Sequence, residues 1–307
     1  MSSSSTPVPC PINILFPEIL CYIFTLTVPP LKGEGLPPIS WKSRRRKPPT
    51  RLGAPWSLVQ ICSTWRIIAL EYAPLWSTIT LSSVSPPRHL RYLDAQIERA
   101  GAAPLDILVR FTGEHGFGAR RKTRKILNKL VERRQQWRSL HLEFVWALPP
   151  PEPFKQLGSL PMLEEIIISG RSMMYLERTW EPVFANARTP KLRKVVLGDQ
   201  STPSRHVSFD FSLPLPSPHV SLSSWAELLS YKATFEDPTM HFTNLSRALN
   251  LVECDIDFGE PTCDIGVVSM LKLRRLVITS GSFLPHLIAP ALLDLHVHGE
   301  RLEPVLP

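Results

Sequence analysis

One spacing recurs seven times in the second half of this 307-residue chain and limits what the chain can become. An apolar residue is followed by a second three places on and a third two places beyond that. The units are Trp137-x-x-Leu140-x-Leu142, Leu163-x-x-Ile166-x-Ile168, Leu192-x-x-Val195-x-Leu197, Leu228-x-x-Tyr231-x-Ala233, Leu251-x-x-Cys254-x-Ile256, Leu273-x-x-Leu276-x-Ile278 and Leu292-x-x-Leu295-x-Val297. The last two positions of each unit alternate as a strand with one buried face would. A single unit cannot bury that face alone, so neighbouring units must stack. The starts lie 26, 29, 36, 23, 22 and 19 residues apart. That is room for a return segment in every unit, so the strands are expected to run parallel.

The pattern resembles a degenerate leucine-rich repeat, whose units run to about 20–29 residues. The resemblance implies an α/β fold over 137–307, an irregular solenoid with a parallel sheet lining a curved inner face. The family's asparagine is missing from each unit, which implies irregular turns. The gap of 36 residues keeps a globular α/β domain with sequential strands as the alternative. A solenoid needs a polar terminal cap, and Arg301-Leu-Glu-Pro-Val-Leu-Pro is too short for one. A shortened chain or a frayed last unit is therefore expected, with residues 285–307 open to protease.

Two stretches near the start carry a different period. Ile12 to Val28 reads INILFPEILCYIFTLTV, and Leu58 to Leu81 reads LVQICSTWRIIALEYAPLWSTITL. Pro17 suits a first helical turn, where its missing N–H costs nothing. Glu18 sets a negative charge at the positive end of the helix dipole. Ile19, Leu20, Ile23 and Phe24 then fall at helical spacing, Tyr22 and Leu26 widen the stripe, and Pro29-Pro30 ends it. In the second stretch Leu58, Ile61, Cys62, Trp65, Ile68 and Ala69 repeat the period, and Pro74 stops the helix before Leu75-Trp76 and a β-branched run.

The order of these residues resembles the F-box, especially the form abundant in mushroom-forming fungi. The matching residues are Pro17, Glu18, Ile19, Leu20, Ile23 and Phe24, then Leu58, Ile61, Cys62, Trp65, Arg66, Ile68, Ala69, Pro74, Leu75 and Trp76. About seventy residues are covered, 12–81. Phe16 stands where the family has Leu, and the Pro- and Arg-rich loop 29–54 is longer than the family's own. The resemblance implies docking of the Skp adaptor of a cullin–RING ubiquitin ligase through Pro17, Ile19, Leu20, Ile23, Phe24, Leu58, Ile61, Cys62 and Trp65. The competing reading is that these stripes face the chain's own core. Each buried Leu, Ile or Phe contributes about 1.5–3 kcal/mol, while association costs roughly 4–15 kcal/mol, so both helices are needed.

A membrane or signal segment is the rival reading of the first stretch. Asn13, Pro17 and Glu18 interrupt it, and residues 1–11, expected to be disordered, contain no Lys or Arg. No membrane span is expected. The five cysteines are odd in number and scattered. They read as thiols of a reducing compartment, cytoplasmic or nuclear.

The net charge of +8 is concentrated in two windows. Residues 42–51 hold six Lys or Arg and no acid, inside a Pro-rich connection that suits an import signal, a phosphate-binding arm or a solvated loop. Residues 120–138 hold nine against Glu132. There Ile126, Leu127, Leu130, Val131 and Trp137 form an apolar helical stripe, and cationic stems cover the other faces. Aromatic stacking platforms are missing, so a solvated face is preferred to nucleic-acid binding.

Between these regions, 82–136 reads as a helix–strand–helix linker. A helix from about Arg88 to Ala100 turns Leu90, Leu93 and Ile97 inwards, Gly101 caps it, and Leu105–Val109 forms a strand. The same succession is common after the fungal F-box.

Catalysis finds no motif. There is no Gly-rich phosphate loop, GxSxG or HExxH. Glu164 and Glu165 point to opposite strand faces. Asp255 and Asp257 share a face but suit solvent, and His296 with His298 lacks a third metal ligand. His115, in the Gly-rich loop Gly113 to Gly118, has no partner in register. No cofactor is expected. The function implied is a non-enzymatic substrate receptor, with the adaptor on the F-box and a protein target on the repeat face. The alternative is an adaptor-independent interaction protein whose basic segments bind nucleic acid or a membrane surface.

Overall fold

The computed structural model describes residues 15–28, 54–82, 88–111, 117–144, 153–154, 157–170, 187–197, 225–234, 242, 244–257, 266–279 and 281–297. The loop 29–53, the first basic window, His115, His298 and the terminal segment 298–307 lie outside them. The chain forms two compact units, the first from residues up to Ile79 together with Arg88–Leu105, the second from the remainder. The segment expected as a linker is divided between the two.

The first unit is helical. Helix α1 spans Pro17–Thr27 with Pro17 in its first turn and Glu18 beside it, as the sequence predicts. A 3-10 turn at Leu58–Gln60 precedes α2, Ser63–Glu71. The continuous period from Leu58 is therefore broken. Cys62 adopts extended backbone and its sulfur accepts the Trp65 amide at 3.4 Å, so it caps α2 instead of continuing a longer helix. Pro74 does not stop α2 either. The helix ends at Glu71, and Pro74 sits in a separate 3-10 turn, Ala73–Trp76. Helix α3 runs Arg88–Ala100. Gly101 follows at φ +55°, its amide bonding Ile97 O and Glu98 O, a left-handed cap that glycine adopts without steric cost.

The second unit is built on a sheet. The strands are β1 Thr78–Ser82, β2 Leu105–Phe111, β3 Trp137–Phe144, β4 Glu165–Gly170, β5 Lys194–Leu197, β6 Ser230–Thr234, β7 Glu253–Asp257, β8 Val268–Ser269, β9 Arg275–Ile278, β10 Leu287–Ile288 and β11 Asp294–Val297. One nine-stranded sheet has the order β1-β2-β3-β4-β5-β6-β7-β9-β11, and every pairing from β3 to β11 is parallel. The protein is thus a mixed α/β chain with a large parallel sheet and few helices. No described helix is long and apolar enough to cross a membrane.

The seven units align without a slip. Leu140, Ile166, Val195, Tyr231, Cys254, Leu276 and Leu295 are successive register partners. Leu142, Ile168, Leu197, Ala233, Ile256, Ile278 and Val297 make a second such row. All but the members on β11 are buried. The gap of 36 residues between units does not disturb the register of β5 on β6.

The turns entering the strands are regular. The amides of Leu163, Leu192, Leu228, Leu251, Leu273 and Leu292 each bond the carbonyl three residues earlier, at 3.1–3.3 Å. The carbonyls of Glu164, Arg193, Leu229, Val252 and Arg274 each then accept two amides from the next unit. Side chains add to this backbone joint: Asn250 Nδ2 donates to Ala226 O at 2.7 Å and Lys272 Nζ to Asn250 Oδ1 at 2.6 Å. The places where the family's asparagine would follow the strands fall almost wholly outside the described residues. A second ladder, β8 with β10, and the bridge Ser159–Arg188 add a parallel contact ahead of those turns that the pattern did not foretell.

Helix α4, Phe117–Glu132, packs Ile126, Leu127 and Leu130 inwards. Trp137 does not belong to its stripe. A 3-10 turn at Arg134–Gln136 intervenes, and Trp137 opens β3, its indole N–H donating to Leu130 O at 3.1 Å.

Candidate functional site

The residues singled out in the sequence fall on two surfaces, one on each unit.

On the first unit, α1 carries apolar residues around more than one side. Leu20 and Phe24 point into the unit, where the Phe24 ring meets Trp65 at 4.9 Å. Trp65 is held by the Cys62 cap, and Trp76 by a 2.7 Å bond from its indole N–H to Ala69 O. Gln96 Nε2 donates to the Trp76 and Thr78 carbonyls, and Arg99 lies over the Trp56 and Trp76 rings at 4.9 and 4.5 Å. This aromatic core fixes α1 and α2 against each other.

What the core leaves outside is also apolar. Phe16 is 75% exposed and Leu26 68%, with Ile19 and Tyr22 exposed between them. Residues 16, 19, 23 and 26 follow one helical line, with Tyr22 beside it and Ile23 half-buried at its margin. Ile61, 57% exposed, and Ile67 add to the apolar surface of the same unit. Single exposed apolar side chains are ordinary, whereas these form a continuous row along one helix.

The nine residues expected at the adaptor interface divide accordingly. Leu20, Phe24, Leu58 and Trp65 are buried and support the unit from within. Pro17, Ile19 and Ile61 are exposed, and Ile23 and Cys62 are half-buried. Phe16 and Ile67 are surface residues that the stripe reading left out. The adjacent pairs Ile19-Leu20 and Ile23-Phe24 were the available signal, because neighbours 100° apart on a helix cannot all face one side. Burial also raises the Cys21 thiol pKa, with the nearby Glu18 charge adding to it.

On the second unit, the sheet face opposite the core is not uniform. Toward β3–β5 it is covered: His141, Ile167, Ser169 and Val196 are buried, and His141 Nε2 lies 3.1 Å from Ser169 Oγ. Toward β6–β11 it is open and charged. Lys232 pairs with Asp255 at 2.6 Å, Arg275 with Asp294 at 3.5 Å, and His296 Nε2 lies 3.0 Å from Asp294 Oδ1. Nearer β2, Arg138 forks onto both carboxylate oxygens of Asp106, which raises the Arg138 pKa, and Arg110 pairs with Glu143 at 2.7 Å. Glu165 reaches Lys194 at 2.8 Å, and Glu164 lies exposed just before β4.

Among the described residues no cluster of His, Cys, Asp or Glu could hold a metal ion. Cys21, Cys62 and Cys254 are free thiols. No family model, no curated protein and no solved structure matches this chain.

Proposed function

We infer that this protein is the substrate-recognition subunit of a Skp–cullin–F-box ubiquitin ligase. The single observation that supports the reading best is the exposed row Phe16, Ile19, Tyr22 and Leu26 on a helix whose other side is fixed by Phe24 and Trp65. A helix held rigidly from behind presents that row with little ordering cost, which favours association. Four such side chains contribute about 1.5–3 kcal/mol each when covered. Ile61 and Ile67 bring the sum to about 9–18 kcal/mol, of the same size as the roughly 4–15 kcal/mol that association costs.

On this reading the first unit is an F-box and the second an irregular leucine-rich-repeat-like solenoid. The adaptor seats on the first unit and bridges to a cullin–RING ligase, whose other subunits carry the ubiquitin chemistry. The protein target meets the open, charged half of the strand face, and the complex works in the cytoplasm or nucleus. The paired charges there suit a polar target recognised by complementary ion pairs more than an apolar one.

The test is co-expression with a Skp adaptor followed by size-exclusion chromatography in moderate salt. A stoichiometric complex supports the receptor reading. A folded chain that elutes without adaptor overturns it, and directs attention to polyanion binding by Arg124 and Lys125, both exposed on α4. Such binding would weaken steeply with salt.

A further inference from the structure

The core rows of the second unit come to the surface at β11. Among the described residues, its large exposed apolar side chains all lie from Leu229 onward, and Leu293 is the most exposed at 81%. Leu295, on β11, is 43% exposed, although its register partner Leu276 is fully buried. Ile288 on β10 is exposed as well. No described strand pairs with the outer edge of β11. A sheet edge with no described partner strand, at which Leu295 and Val297 of the core rows come to the surface, is a template for another strand.

We propose that β11 pairs with β11 of a second copy of this chain, joining two sheets across a two-fold axis. Such an axis must stand perpendicular to the sheet if the apolar faces of both copies are to stay on one side, and the two strands then run antiparallel. Residues directly opposite in an antiparallel pair share a face, so Leu295 must meet another odd-numbered residue. Three registers satisfy this near the strand centre. One sets Asp294 against Asp294, and another sets His296 against His296, both like with like. The third centres on Leu295: Leu295 meets Leu295 on the core side, and Asp294 meets His296 twice on the other. Only this register adds opposite charges to an apolar match, when His296 is protonated. The edge is therefore self-complementary, as an isologous interface requires. Arg275 and the intrachain His296–Asp294 contact share the same carboxylate, so the added pairs extend an ion ladder already present.

Sedimentation of the full chain over a range of concentrations tests this. The expected result is a mass of two chains that dissociates on dilution. Leu295→Lys sets like charges at the axis and should leave one chain. His296→Asp should weaken the pair about tenfold or more, and adding Asp294→His to it should restore the pairing by exchanging the two charges. The two charge variants alter exposed side chains, so they serve if Leu295→Lys does not fold. A single-chain mass at every concentration overturns the proposal. So does a two-chain mass indifferent to these substitutions, or an exchange variant no tighter than His296→Asp alone.

Discussion

The indole N–H of Trp76 donates to the carbonyl of Ala69 at 2.7 Å, in the buried interior of the first unit. Ala69 lies in the last turn of α2, where carbonyls have no helical partner. Trp76 therefore supplies the missing donor and ties the Ala73–Trp76 turn to the helix it follows. The same ring lies under Arg99 and edge-on to Trp56, at 4.5 and 5.0 Å.

Removing that N–H while keeping a ring should cost less than removing the ring. Trp76→Phe leaves a buried carbonyl unsatisfied, a loss of about 1–3 kcal/mol. Trp76→Ala opens a cavity as well, about 3–5 kcal/mol. Urea unfolding followed by circular dichroism should rank the wild type above Trp76→Phe and that above Trp76→Ala. Equal losses would mean that the bond contributes nothing.

The division of α1 into a buried and an exposed side makes a sharper prediction for docking. Ile19→Asp and Tyr22→Asp change exposed positions and should leave the thermal unfolding midpoint within a few degrees of wild type while abolishing adaptor co-purification. Leu20→Asp buries a carboxylate and should lose the fold of the first unit together with binding. If Ile19→Asp and Tyr22→Asp bind adaptor normally, the exposed row is not the docking surface.

Much of the second unit was legible because a strand repeat has few ways to be satisfied. The triplet ending in Leu140 and Leu142 fixes face and register together, since a slip of one residue would expose the whole row. The expected parallel direction follows from the length of chain between units, which leaves room for a return segment in each. Other features depend on chemistry that periodicity does not carry. Cys62 fits the helical period of its stretch as well as Leu58 does, yet its sulfur is better used capping α2. Trp137 fits the stripe of α4 but begins a strand, because its N–H finds the Leu130 carbonyl from there. Covering of the strand face at Ile167 and Val196 was not legible, because the repeat pattern specifies only the core side. On α1 the opposite error arose, with one wide stripe standing for two faces, one buried (Leu20, Phe24) and one exposed (Ile19, Tyr22, Leu26).

The two faces of the sheet should respond differently to truncation. Ile256→Ala removes buried methyl groups from the core row and should cost about 2–5 kcal/mol. Lys232→Ala breaks an exposed pair with Asp255 and should cost less than about 1 kcal/mol. Urea titration of the two variants reads both values. Comparable losses would show that the open charged face carries stability, and would weaken its assignment to target binding.

Alkaline pH should loosen the second unit through Tyr231 and Cys254. They are register partners on β6 and β7, each 1% exposed. Burial raises the pKa of both, since an ionised phenol or thiol there would lose its hydration. The Asp255 charge raises Cys254 further, whereas the Asn244 hydrogen bond partly opposes the effect on Tyr231. In the unfolded chain these groups ionise near their ordinary values of 9.0 and 10.0. Above those values the unfolded state holds fewer protons than the folded state, so stability falls as pH rises. It is fully present below about pH 9 and lost upward from there, at up to about 1.4 kcal/mol per pH unit for each group. The urea midpoint should therefore be lower at pH 10.5 than at pH 8. Cys254→Ala lowers stability at both values but should flatten the slope between them, because one of the two titrating groups is gone. A slope unchanged in Cys254→Ala, and again in Tyr231→Phe, would place the alkaline loss elsewhere in the molecule.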